Sequence, residues 1–238
     1  MFAANDIETI QNSFVHSKSF GGDAVVKISD GMKTFELIEF VDTIKAFRFY
    51  FYATRMFVVI GKTYSLSIEA EGKKLSATTS IPQPIPLDSL WWIPHPNPEK
   101  DSLVVFWVRY TDPPGERNYS RYFTKRNREP FFPGYFLSVF NDEFFNGESF
   151  NFPLERGQDK DDERDFNTYG YFEKGDRIIV KWCSIDKAHF DFWRTLEESK
   201  LHGGNNPFGS PVKIISNING GLGIWGGYGV SYDTLIVK

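Results

Sequence analysis

The final 19 residues, GGLGIWGGYGVSYDTLIVK (Gly220–Lys238), admit two readings that lead to different folds. Gly221, Gly223 and Gly226 spell G-x-G-x-x-G. That spacing cradles a dinucleotide pyrophosphate only when it follows a strand and opens a helix, with an acidic ribose partner about 20 residues later. Here VSYDTLIVK alternates apolar and polar residues as a strand does, and the sequence ends before such a partner. The glycines are therefore structural: they permit positive φ and close backbone approach, and suit bulges and bends in a curved sheet. Between them, Ile224, Trp225 and Tyr228 are expected to pack over neighbouring strands, closing the second of two β domains.

Upstream the pattern is strand-like from about Asp23. AVVKISDG ends in an Asp-Gly turn signal and runs into MKTFELIEF, where Phe35 and Leu37 alternate with Thr34 and Glu36. KTYSLSIEAEGKKLSATTSIP adds a hairpin, with Tyr64, Leu66 and Ile68 on one face and Glu71-Gly72 at the turn. This predicts an N-terminal β-sandwich over residues 1–82. Six prolines between Pro82 and Pro98 make IPQPIPLDSLWWIPHPNP a stiff extended connection.

Residues 83–238 read as a larger antiparallel β-sandwich or barrel. SLVVFWVRYTDPPGERNYSRYFTKR is a meander around a Pro-Pro-Gly turn, GYFLSVF and ESFNFPLE flank NDEFFNG, and DRIIVKWCSI is the most apolar strand. One amphipathic helix is expected near 186–201, since His189, Phe192, Trp193 and Leu196 recur at i, i+3, i+4 and i+7. Ser184 or Asp186 can cap its start, and Gly203 can follow its end.

Composition supports an all-β chain: 17% of residues are aromatic, led by 24 Phe, and aromatic side chains suit pleated, half-buried surfaces. A net charge of -4 argues against nucleic acid as a partner. RYFTKRNR (Arg121–Arg128) carries four positive charges and reads first as a solvated strand end and turn, with a nucleic-acid or anionic-glycan patch as the alternative. No apolar run is long enough for a transmembrane helix, and the N-terminus MFAANDIETIQNS lacks the features of an export signal.

NPFGSPVKIISNINGGLGIWGGYG (Asn206–Gly229) resembles the closing signature of a family of Bacteroidota outer-membrane lipoproteins, domain of unknown function 4249. GKTYSLSIEAEGKKLSATTSIPQPIPLDSL, VRYTDPPGERNYSRYF, NDEFFNG and GDRIIVKWCSIDKAHFDFW stand in the order the family expects. The resemblance covers roughly Asp23 to the C-terminus. It implies an Ig-like, carboxypeptidase-regulatory-like first sandwich, a second β domain, and a place at the outer membrane, cell surface or periplasm. It also implies an accessory role beside a TonB-dependent outer-membrane transporter, and supplies no catalytic residue to carry over. The lipid-accepting Cys and the family's first strand are absent from this sequence.

Candidate chemistry is sparse. DKDDERD (Asp159–Asp165) holds five carboxylates in seven residues. It reads as a solvated loop, with Asp159, Asp161, Asp162 and Asp165 as calcium candidates that lack EF-hand spacing. His16, His95, His189 and His202 stand singly, which does not make a zinc site. Cys183 has no local base and reads as a small buried hydrophobe. Asp142 and Glu143 are explained by a turn, though two carboxylates in space can form a glycosidase pair. Trp91 and Trp92 read first as core and otherwise as a sugar or partner surface. The proline-flanked loop PFFPGYF, with Phe131, Phe132 and Tyr135, is the stronger candidate contact. The expected function is a non-enzymatic, cofactor-free envelope binding protein. The rivals are a stand-alone adhesin for glycans or peptides and a carboxylate hydrolase.

Overall fold

The computed structural model describes residues 2–3, 24–44, 47–143, 146–159, 165, 167–203 and 212–238. After a short strand β1 (Phe2–Ala3), the N-terminal part comprises β2 (Val25–Ser29), β3 (Thr34–Glu36), β4 (Ile38–Ile44), β5 (Phe47–Ala53), β6 (Thr63–Ala70) and β7 (Lys73–Ser80). Four of these form an antiparallel sheet in the order β3-β2-β6-β7, while β4 and β5 form a separate ribbon. The period-2 pattern decides which face is buried. Val26 lies opposite Ile68, Ile28 opposite Leu66, and Leu66 opposite Ala77, so one face is apolar throughout. Glu71 and Gly72 both adopt positive φ, the two-residue hairpin turn whose twist matches the flanking strands. At the β2–β3 turn, Asp30 accepts hydrogen bonds from the backbone N–H groups of Met32 (2.9 Å) and Lys33 (2.7 Å). These bonds hold its carboxyl below the usual range.

The C-terminal part contains β8 (Ser89–Pro94), β9 (Leu103–Thr111), β10 (Tyr119–Arg126), β11 (Phe132–Pro133), β12 (Val139–Asn141), β13 (Ser149–Leu154), β14 (Phe172–Glu173), β15 (Arg177–Ile185), the helix α1 (Lys187–Gly203) and β16 (Gly227–Ile236). β9 is the centre of a four-stranded sheet, flanked by β8, β13 and β14. β10, β15 and β16 form the body of a six-stranded sheet that β1, β11 and β12 complete. The two pack face to face: Val104, Phe106 and Val108 of β9 meet Tyr122, Ile178, Val180 and Trp182 of the larger sheet. Among the described residues neither sheet closes into a barrel, so the chain is all-β and sandwich-like, with one helix.

β15 is buried on both faces. Ile178, Val180 and Trp182 face the sandwich, whereas Cys183 and Ile185 join a second cluster with Phe190 of the helix and Tyr228 and Val230 of β16. The expected helix is present, and of its two candidate caps Asp186 is the one used. Asp186 Oδ1 accepts from His189 N at 2.8 Å, and its Oδ2 accepts from Thr79 Oγ1 at 2.6 Å. One carboxylate thus caps α1 and ties it to β7 of the first sheet. Ser184 lies within β15 instead, its Oγ accepting from Ile85 N at 3.1 Å.

The glycine-rich segment departs from expectation. Rather than serving only the second unit, it runs back across the first: Asn219 bridges Ser76, and Ile218 and Trp225 complete the core of the β2-β6-β7 sheet. The glycines allow close contact where it then returns to the larger sheet. A Cβ at Gly226 would overlap the His189 ring, and one at Gly229 would overlap the Pro82 carbonyl oxygen. The obstacle at Gly229 is backbone and cannot rotate away. Gly229→Ala is expected to cost about 1–3 kcal/mol through overpacking, seen as a lower urea midpoint at unchanged slope. An unchanged midpoint would contradict this account.

Candidate functional site

A surface groove of about 440 Å³ lies between α1 and the segment that leads into β12. Phe190, Arg194, Glu197 and Leu201 supply the helix wall, a stripe at helical spacing. Phe136 and Leu137 supply much of the facing wall, which Glu143 extends at the rim. Three large apolar side chains stay open to solvent there: Phe136 (44%), Leu137 (50%) and Leu201 (45%). Tyr135 packs edge-on against Phe136 and Tyr169, at ring separations of 5.0 and 5.3 Å, and stiffens this wall.

Three carboxylates line the groove. Glu198 pairs with Arg194 at 2.9 Å, and Glu143 is exposed. Glu197 is 8% exposed and accepts from Ser138 twice, through the backbone N–H at 3.0 Å and through the hydroxyl. Burial raises its carboxyl above the usual range, opposed by the Ser138 hydrogen bonds and by the charge of Arg121. With one Arg among the three Glu, the lining favours a ligand with an apolar body and a cationic or hydrogen-bond-donating end.

Beneath the helix lies a buried polar cluster. Arg121 is 3% exposed, donates Nε–H to Ser138 Oγ at 3.1 Å and an Nη1 hydrogen to Tyr228 Oη at 2.9 Å, and lies 3.5 Å from the Trp193 ring centre. His189 packs on Tyr228 at 4.7 Å between ring centres. Burial, and then the Arg121 charge, hold its pKa well below the ordinary histidine value, so it stays neutral. This corrects the expectation for Arg121, which is not a solvated strand end. Of the other cations in that run, Arg126 pairs with Asp176 at 2.8 Å and Lys125 lies over Phe131 at 5.6 Å.

The candidates read from the sequence are dispersed. Phe131 is half-buried, 5.9 Å from the Tyr232 ring, and Phe132 is half-buried too; of the three only Tyr135 adjoins the groove. Trp91 and Trp92 face opposite ways: Trp92 packs on the sandwich core, and Trp91 stacks on Trp107 at 6.1 Å on the outer face. Asp161 and Asp162 lie outside the described residues, as does His16. Asp159 is half-buried, and Asp165 closes a turn by accepting from Asn167 N at 2.9 Å, which lowers its carboxyl pKa. His95 sits edge-on to Tyr171 at 4.4 Å. Cys183 is fully buried and its thiol is pushed up to about 12, which removes it as a nucleophile. Asp142 and Glu143 diverge, the first buried and the second on the groove. Among the described residues no three of His, Cys, Asp and Glu gather as metal ligands.

Glu197, Arg194 and Leu201 were not foreseen as site residues. Glu197 stands eight positions after His189, on the stripe expected to be buried. A carboxylate on such a stripe is the signal that could have marked it.

These features define an all-β, sandwich-like protein with a helix-walled groove. The chain belongs to the family described as Domain of unknown function (DUF4249), whose sequence model matches residues 8–234. No curated protein matches it. Among the described residues no helix is long and apolar enough to cross a membrane.

Proposed function

We propose that this chain is a non-enzymatic binding protein of the bacterial cell envelope, partnering a TonB-dependent outer-membrane transporter and docking through the groove beside α1. The observation that carries this reading is the groove itself. Phe136, Leu137 and Leu201 leave large apolar surface exposed beside Glu143, in a cavity within the size range of ligand sites. A peptide segment with apolar anchors and a basic end fits that lining. Family membership supports the cellular setting, through the lipoprotein character its motifs imply.

The test is a mild-detergent pull-down from the host outer membrane, comparing wild type with Phe136→Asp/Leu201→Asp. Both positions are exposed, so folding should persist. Stoichiometric recovery of one large barrel by wild type, and at least tenfold less by the variant, is expected. Recovery of wild type alone would favour the stand-alone adhesin, to be pursued on glycan and peptide arrays. One observation favours a second reading: Glu143, Glu197 and Glu198 share the groove, and the Glu197 carboxyl is raised as a general acid requires. Glycoside turnover abolished by Glu197→Gln would replace the binding reading with a hydrolase.

A further inference from the structure

Two large apolar side chains of the N-terminal part stand almost clear of the molecule: Met32 is 85% exposed and Phe57 94%. Scattered singly, such residues carry no message, but a contiguous exposed apolar patch marks an interaction surface. These two are brought to one end. Met32 tops the β2–β3 turn, where Asp30 N donates to Lys33 O at 3.2 Å. Phe57 and Val59 enter a second turn, in which Lys62 N donates to Val59 O at 3.2 Å. The Asp30–Lys62 ion pair, at 3.6 Å, ties one turn to the other. Val59 N also donates to Tyr64 Oη at 2.7 Å, which fixes the second segment on β6.

Alternation sorts the side chains of that segment. Met56, Val58 and Ile60 pack into the first core, while Arg55, Phe57 and Val59 are exposed. The β4–β5 ribbon leads into it and extends the apolar surface: Ile38 lies opposite Ala53, and Phe40 opposite Phe51 with the rings stacked at 5.3 Å. Ile38 and Phe40 are exposed as well. The acids around this surface are engaged within the chain. Asp30 pairs with Lys62, Glu36 pairs with Lys27 at 3.6 Å, and Glu39 accepts from Tyr52 Oη. Lys33 and Arg55 are exposed, and among the described residues neither forms an ion pair.

The shape and the charge select the partner. Protruding tips on two turns would need a protein with a matching pocket for each, because protein interfaces pack as densely as interiors. A bilayer interface takes any protruding apolar side chain, and anionic headgroups attract cations placed beside it. The turns can enter only the headgroup boundary, since their open backbone groups need water. We infer that this end of the N-terminal part docks on an anionic lipid surface, Met32, Phe57 and Val59 entering the boundary and Lys33 and Arg55 meeting lipid phosphates. The inference does not rest on the groove beside α1, which the C-terminal part builds.

The test is co-sedimentation of the purified chain with vesicles of phosphatidylcholine alone, or of phosphatidylcholine and phosphatidylglycerol in equal parts. Binding to the mixed vesicles is expected, weakened by added salt and at least tenfold tighter than to phosphatidylcholine. Met32→Asp/Phe57→Asp should lose at least tenfold in affinity at unchanged Tm, because both side chains are exposed. Lys33→Glu/Arg55→Glu should lose the preference for the mixed vesicles, whereas Phe136→Asp/Leu201→Asp should bind as wild type does. No sedimentation with either vesicle would overturn the inference, as would equal binding to both or binding unchanged in Met32→Asp/Phe57→Asp. A dimer in sedimentation velocity that this same variant abolishes would give the surface to a second copy of the chain and overturn it too.

Discussion

Trp225→Ala is expected to destabilise the chain by about 3–5 kcal/mol, a large share of the roughly 5–15 kcal/mol that holds a typical domain folded. The indole is fully buried, in one cluster with Ile28, Tyr64, Leu66 and Ile218, and its Nε1–H donates to the Tyr64 carbonyl at 3.2 Å. Asn217 clamps the adjoining backbone, accepting from Trp225 N at 2.9 Å and donating to Trp225 O at 2.7 Å. Truncation leaves a cavity that the clamped segment cannot collapse to fill. It also removes the hydrogen bond from the indole to the Tyr64 carbonyl. At about 2–4 °C per kcal/mol, Tm should fall by about 6–20 °C, measured by circular dichroism. A drop under 2 °C would mean that this contact does not join the C-terminal segment to the first sheet.

Arg121→Ala is expected to cost a similar amount, about 3–5 kcal/mol, for an electrostatic reason. The guanidinium serves Ser138, Tyr228 and the Trp193 ring together, and Ser138 passes its second hydrogen bond to Glu197. Removing the cation takes a hydrogen-bond donor from the buried Tyr228 hydroxyl and from Ser138, and removes the charge that favours the Glu197 carboxylate. Removing both charges at once, in Arg121→Met/Glu197→Gln, should cost less than the sum of the single changes, with coupling of about 0.5–3 kcal/mol. Urea titrations of the four species measure this. Strict additivity would show that Arg121 and Glu197 do not act as a pair.

The cluster and the groove share Glu197, which links stability to any binding there. A ligand that draws on this carboxylate must compete with Ser138, so the apolar wall at Phe136, Leu137 and Leu201 is the more accessible source of affinity. The groove variants and the Arg121 variants therefore separate two properties: the first pair should lose a partner while keeping the fold, and the second should lose stability.

What the sequence by itself determined were the features set by neighbours along the chain. Alternation marked β6 and β7, Glu71-Gly72 marked their turn, Ser184 or Asp186 marked the helix start, and the strand after the glycines excluded a dinucleotide fold. These rest on period, caps and turn conformers, which act over a few residues. The tertiary structure alone decided which distant groups meet. Trp225 enters a core built 150 or more residues earlier, near Tyr64 and Leu66. Trp91 and Trp92, adjacent in sequence, fall on opposite faces of one sheet. Arg121 looked like a surface cation until α1 folded over it and supplied Trp193 and Glu197. Local patterns record which face of an element is apolar. They carry no record of the partner that covers it, because that partner is set by packing across the whole chain.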